Sequence, residues 1–168
     1  MLLSVLYGLI GIMLLTAFCL IGAFLVPQNA YWFMTPKAVS VLEEAGIDRK
    51  FRLKDKIIIG FLIAVTGIGF ILTVIFAGKQ GVACGMDCLQ LSLRFVIFFW
   101  MVSIFDAIVL DWWMFTKTDM FGFWLKAKTG KEPKVWRVDP QWDGKEIHKL
   151  VLEVVASMIL AWIFLKMG

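Results

Sequence analysis

The sequence predicts an all-α integral membrane protein built as a bundle of four transmembrane helices. Two features of its composition support this class: 61% of the 168 residues are hydrophobic and only 18% are charged. Soluble domains carry about 45–50% apolar and about 25% charged residues. The third observation is that the apolar residues form four runs, each near the roughly 20 residues with which a helix crosses a bilayer. An ordinary soluble domain is therefore excluded.

Four segments are expected to span the membrane within one domain, 1–168. They are predicted at 2–26, 57–77, 95–115 and 147–167. No Lys or Arg precedes the first run, and it is longer than the roughly 7–15 apolar residues in the core of a secretory signal. We therefore expect the first run to be retained as a helix rather than removed.

The distribution of Lys and Arg predicts the orientation. The connections 28–56 and 116–146, together with Lys149, hold 14 of these residues, against three in the external loop 78–94 and at the C-terminus. Because basic connections stay in the cytoplasm, we expect both long loops there and both termini outside, most simply in the plasma membrane. The net charge of +4 then indicates contact with the bilayer and its anionic headgroups, not with nucleic acid.

Each cytoplasmic loop is expected to contain a short amphipathic helix at the membrane interface. In the first loop, Thr35 can cap a helix, Pro36 suits its first position and Gly46 can end it. In the second loop, the apolar run 120–125 is able to enter the interface.

The first two spans are predicted to pack against each other through stripes of mostly small residues. Lipid provides no hydrophobic drive between helices, so close backbone approach through small side chains is what holds such helices together. The stripes are Ser4, Gly8, Gly11, Leu15, Cys19 and Gly22 in the first span, and Gly60, Ala64, Gly67, Ile71, Val74 and Gly78 in the second.

An aspartate near the middle of the third span is the first candidate for a functional group. A carboxyl at the centre of a helix costs about 2.5–3.5 kcal/mol on insertion scales, which the apolar neighbours of Asp106 can offset. The carboxyl then needs a partner, such as the hydroxyl of Ser103, or a polar cavity. Intramembrane carboxyls are functional by default, and the alternative is that they pair with other groups and only hold the bundle together.

Two further carboxyls lie closer to the cytoplasmic end. In a regular α-helix Asp111 is about 140° around the axis from Asp106, so the two are not expected to share a face. In the fourth span Glu153, Ser157 and Ala161 follow at steps of four and form a narrow face that suits a helix contact. We expect the three carboxyls to converge between the third and fourth helices, in a pocket open to the cytoplasm.

His148 is an accessory candidate for this pocket, although a solvated histidine at the start of the helix is the simpler interpretation. Together with the carboxyls it offers hard ligands that suit iron or manganese. The spacing matches no known metal-binding signature, so no metal site is predicted and no cofactor is assigned.

The carboxyls support three functional hypotheses. The first is a site that binds or transports a proton, a cation or a small solute, for which a homo-oligomer is expected. The second is a membrane-embedded enzyme acting on a lipid or quinone-like substrate, and the third is a non-catalytic subunit of a membrane complex.

Two cysteines in the external loop predict a disulfide. Cys84 and Cys88 are separated by Gly85, Met86 and Asp87, and the exterior of a cell is oxidising. Two free thiols or a redox pair are the alternatives.

Overall fold

The computed structural model describes residues 2–26, 28, 43, 46–47, 49–117, 126, 130 and 144–167. In this part of the chain the regular secondary structure is helical, without strands. The helices are α1 (Leu2–Leu25), α2 (Leu53–Ala83), α3 (Cys88–Phe105) and α4 (Gly144–Met167), and a π-helical segment, Asp106–Lys117, follows α3 directly.

Four helices in the described ranges are long and apolar enough to cross a membrane, which confirms the all-helical class and indicates a multi-pass membrane protein. These candidate spans are Leu2–Leu25, Leu53–Ala83, Cys88–Leu110 and Ile147–Met167. The predicted interfacial helices at 35–46 and 120–125 lie outside the described residues, apart from Glu43 and Gly46. Gly46 has a φ of 79°, the left-handed conformation in which a helix ends.

The connection between α2 and α3 is much shorter than the predicted external loop 78–94. Helix α2 continues to Ala83 and α3 begins at Cys88, so residues 84–87 make the whole connection. Gly85 has a φ of 70° and its backbone N–H donates to the carbonyl of Val82 at 2.9 Å. The N–H of Met86 donates to the carbonyl of Gly81 at 3.1 Å. This pair of bonds satisfies two of the last carbonyls of α2 and turns the chain back sharply.

A reciprocal pair of hydrogen bonds begins α3. The Asp87 carboxylate accepts from the backbone N–H of Gln90 at 2.8 Å, and the Gln90 side-chain oxygen accepts from the N–H of Asp87 at 3.4 Å. Two N–H groups that lack intrahelical partners are thereby satisfied.

The chain divides into two compact units. The first comprises Met1–Leu15, Thr66–Phe105 and Trp142–Gly168, and the second comprises Thr16–Val65 and Asp106–Gln141. The first unit therefore contains parts of α1 and α2 and the whole of α3 and α4.

Helix α3 provides the centre of the first unit. Its Leu91 and Phe95 are fully buried and form a core with Ala77 of α2 and Ala161 of α4. The ring of Phe95 packs on Phe164, with 5.7 Å between the ring centroids.

Helix α1 packs on α3 rather than on the small residues of α2. Gly8 and Gly11 are buried as predicted, but a Cβ at Gly8 would lie 2.5 Å from the sulfur of Met101. A Cβ at Gly11 would lie 2.7 Å from Val102 Cγ2 and 3.0 Å from Phe98 Cε2. The absence of a side chain at both glycines is what allows α3 to approach α1.

The prediction that α1 meets the small-residue stripe of α2 is wrong at three glycines of that stripe. Among the described residues, no atom lies within 4 Å of a Cβ placed at Gly60 or Gly67, and a Cβ at Gly78 would lie 2.6 Å from Phe164 of α4. Within the first unit, α1 instead contacts α2 through Leu14, whose Cδ1 would lie 3.0 Å from a Cβ at Gly69.

In the second unit a buried carboxyl organises the start of α2. The side chain of Asp55 is 7% exposed and accepts from the backbone N–H of Arg52 at 3.2 Å. On the surface of the same unit, Arg49 pairs with Glu43 at 2.7 Å. Because both groups of this pair are exposed, it contributes little to stability.

The α1–α3 contact predicts a difference between two glycines. In Gly11→Ala the new methyl group meets Phe98, which is 1% exposed, and the stiff side chain of Val102, so we expect a loss of about 1–3 kcal/mol in unfolding free energy. In Gly67→Ala the methyl group enters open space, and removing a helical glycine should leave stability unchanged or raise it by up to about 1 kcal/mol. Thermal unfolding of both variants in the same detergent is the measurement. Equal melting temperatures for the two variants would contradict this packing.

Candidate functional site

Glu153 lies on the face of α4 that contacts α3 within the first unit. Ser157 and Ala161 continue this face and are fully buried, which confirms the predicted contact face. The hydroxyl of Ser157 donates to the backbone carbonyl of Glu153 at 2.6 Å and so leaves the Glu153 carboxyl to other partners.

The carboxyl of Glu153 is bound by α3. The hydroxyl of Ser103, on the last turn of α3 and 7% exposed, donates to Glu153 Oε1. The sequence offers Ser103 as one possible partner of Asp106, whereas in the structure its hydroxyl donates a hydrogen bond to Glu153. One hydrogen bond therefore joins α3 to α4 and orients the carboxyl.

The second carboxyl oxygen of Glu153 is unsatisfied. Oε2 is buried and has no hydrogen-bond partner among the described residues. A buried polar atom without a partner costs about 1–3 kcal/mol, and more when the group is charged. Oε2 is therefore the carboxyl atom that is left to accept from a donor outside the described side chains.

An open groove of about 410 Å³ adjoins this carboxyl. The groove is lined by His148, Lys149, Leu152, Glu153 and Ala156. The surface that these residues present to it is almost entirely apolar. His148 and Lys149 are exposed, and neither is without an interaction partner. The groove gives a molecule at the surface of α4 access to the neighbourhood of Glu153.

Trp100 makes a second connection between α3 and α4 beside the site. Its indole N–H donates to the backbone carbonyl of Leu150 at 3.2 Å, one turn before Glu153. The sequence does not single out Trp100, although a tryptophan inside a span needs an acceptor for its N–H. The two bonds from α3 hold the first turns of α4 and so position the carboxyl.

The other two predicted carboxyls belong to the second unit. Asp106 is half-buried and is not without a partner, and the side chain of Asp111 lies outside the described part of the structure. Both are in the π-helical segment, where the backbone bonds residue i to residue i+5. The separation of about 140° was calculated for a regular α-helix and does not apply to this segment. Convergence of these carboxyls with Glu153 stays a prediction.

The predicted cysteine pair lies in the short α2–α3 connection. Cys84 and Cys88 are both exposed and carry free thiols in the structure, and their disulfide stays a prediction. Cys19 is buried in α1, as expected for a packing residue. The described residues contain no group of three or more His, Cys, Asp or Glu side chains that could hold a metal ion.

A buried arginine in the first unit is not among the functional residues predicted from the sequence. Arg94, placed by the sequence in the external loop, is part of α3 and only 3% exposed. Its Nη1 donates to the carbonyl of Ala77 at 3.0 Å and to Gln80 Oε1 at 2.8 Å. The hydroxyl of Tyr7 donates to the same Gln80 oxygen at 3.5 Å. We call Tyr7, Gln80 and Arg94 the Arg94 cluster.

No family model matches this chain, and comparison with curated proteins and with solved structures finds no similar protein.

The Ser103–Glu153 hydrogen bond predicts that replacing two equally buried serines of α3 by alanine lowers the unfolding free energy by different amounts. Ser103→Ala leaves both oxygens of Glu153 without a protein donor, and we expect a loss of about 1–3 kcal/mol in unfolding free energy. Ser92, also 7% exposed, donates only to the carbonyl of Cys88 in its own helix, at 2.7 Å. Ser92→Ala should therefore cost less than Ser103→Ala.

Thermal unfolding in detergent, with the double variant Ser103→Ala/Glu153→Gln, measures the coupling between the two side chains. Additive effects of the two substitutions would show that the bond carries no stabilisation.

Proposed function

We propose that this chain is a multi-pass plasma-membrane protein whose acidic intramembrane site binds or transports a proton, a cation or a small cationic solute. Glu153 is the centre of the site, and Asp106 and Asp111 are further proton or cation acceptors. The single observation that carries the proposal is the buried, unpartnered Oε2 of Glu153.

The chemistry of the carboxyl supports a positively charged or proton-donating ligand. An ionised carboxylate only accepts hydrogen bonds, and a protonated one adds a single donor. With Oε1 bound by Ser103, Oε2 is the atom left to take a proton or to accept from a solute. Charged groups at membrane depth mark ion and proton pathways when they face a bundle interior or a cavity.

The position of Glu153 along α4 supports access from one membrane surface. The candidate span of α4 begins at Ile147, so Glu153 lies about 9 Å along the helix from that end. His148 and Lys149 lie between the end of the span and the carboxyl, and they line the same groove. On the proposed topology, with both termini outside and the long loops cytoplasmic, this entrance faces the cytoplasm and its anionic headgroups.

A membrane-embedded enzyme acting on a lipid or quinone-like substrate is the second candidate. The apolar lining of the groove beside Glu153 favours it, because an acyl or isoprenoid chain would fit such a lining. In that case Glu153 would act as an acid or base toward the polar end of the substrate.

The test of the first proposal is flux across vesicles reconstituted with the full chain. Wild-type protein should carry protons or potassium ions down an imposed gradient, reported by a pH-sensitive or potassium-sensitive dye inside the vesicles. Glu153→Gln keeps the shape of the side chain but removes its titration, and we expect at least about a tenfold loss of flux.

Glu43→Gln is the matched control, because it neutralises an exposed carboxylate of a surface pair and should leave flux unchanged. Equal flux through wild type and Glu153→Gln would refute the proposal. A wild type that carries neither ion, but retains a lipid against Glu153 after purification, would favour the enzyme.

A further inference from the structure

The guanidinium of Arg94 is buried without a negative partner. Its two hydrogen-bond acceptors, the Ala77 carbonyl and the Gln80 amide oxygen, are both neutral. Its Nε is buried and has no partner among the described residues, and no carboxylate of the described chain forms an ion pair with it. A guanidinium keeps its charge in proteins, and a buried charge is costly unless an opposite charge meets it.

The nearest acidic residue along the chain has another role. Asp87 is exposed, and its carboxylate caps α3 by accepting from the N–H of Gln90 at 2.8 Å. Among the described residues, no carboxylate therefore supplies a counter-charge to Arg94.

We propose that the Arg94 cluster is an anion-binding site that takes a phosphate group, from a lipid headgroup or from free inorganic phosphate. The planar guanidinium offers donors in a fork that fits two phosphate oxygens at once, and Nε is the donor still unused. The amide nitrogen of Gln80 is a further donor in the same cluster, and the hydroxyl of Tyr7 can donate to an anion when it turns away from Gln80 Oε1. All three side chains can donate and none is negative, which is the composition expected around an anion.

Met86 gives the anion a route to the buried guanidinium. A Cβ placed at Gly81 would lie 3.4 Å from Arg94 Nη1 and 3.4 Å from the sulfur of Met86, so both side chains approach the same glycine. Met86 belongs to the short connection 84–87, and its unbranched side chain changes conformation easily. Moving it aside opens the guanidinium toward the end of the α2–α3 hairpin.

The depth of Arg94 suits the phosphate of a lipid. Arg94 lies about 9 Å along α3 from Cys88, the first residue of the helix, which places it near one end of the span. This site is separate from that of Glu153, because Ser103 lies about 14 Å further along α3. The two proposals therefore stand or fall independently.

The experiment uses the purified full chain, delipidated in a neutral detergent. Its melting temperature is measured with added inorganic phosphate and, separately, with added phosphatidylglycerol, each against chloride at matched ionic strength. We expect wild type to be stabilised by at least one of the two, since binding to the folded state raises the melting temperature. A response to phosphatidylglycerol alone identifies the lipid headgroup, and a response to both identifies phosphate as the recognised group.

Three variants decide whether Arg94 is responsible. Arg94→Gln should bind the stabilising phosphate compound at least about tenfold more weakly than wild type. Gln80→Glu places a carboxylate beside Nη1, so it should supply the missing charge and abolish the response while keeping Arg94. Lys79→Gln removes an exposed neighbouring charge and should respond as wild type does.

A wild type that is stabilised by neither compound would overturn the proposal. So would a Gln80→Glu variant whose response matches that of wild type, and this result is decisive even if Arg94→Gln fails to fold.

Discussion

The structure depends on the packing of α3 in the centre of the first unit. Leu91 and Phe95 are buried without exposed surface and join α3 to α2 and α4 in one core. On another side, Gly8 and Gly11 of α1 let α3 approach closely. In lipid there is little hydrophobic drive between helices, so this close contact, rather than apolar burial as such, selects the arrangement of the helices.

Helix α3 also carries two polar side chains at different positions along its length. Arg94 near its start binds neutral groups of α2, and Ser103 near its end binds the carboxyl of Glu153. Among the described residues, one buried atom of each of the two side chains has no hydrogen-bond partner, Nε in Arg94 and Oε2 in Glu153. The two cannot neutralise each other directly, because about 14 Å of helix separates Arg94 from Ser103. Helix α3 therefore holds one basic and one acidic side chain of the first unit at different levels.

The short connection between α2 and α3 links backbone geometry to the basic site. Gly85 has a positive φ that other residues adopt at a cost. This conformation allows α2 to end at Ala83 and α3 to begin at Cys88. Because the turn is so short, α2 and α3 run side by side up to their ends. The carbonyl of Ala77 and the amide of Gln80 therefore lie within reach of Arg94.

The sequence by itself determined the all-helical class, the four apolar spans and the buried face formed by Glu153, Ser157 and Ala161. These features follow from composition and from the local period of 3.6 residues, which do not depend on which helices become neighbours.

Which helices and side chains contact one another became clear only from the tertiary structure. Stripes of small residues show which faces permit close approach but not which helix fills them, so Gly8 and Gly11 meet α3 while Gly60 and Gly67 meet nothing within 4 Å. Whether Arg94 is a loop charge or a buried one depends on where α3 begins, and that boundary is set by the turn and by Asp87. The partner of Ser103 is likewise decided by contact with α4, because a hydrogen bond depends on distances between helices that no single helix specifies.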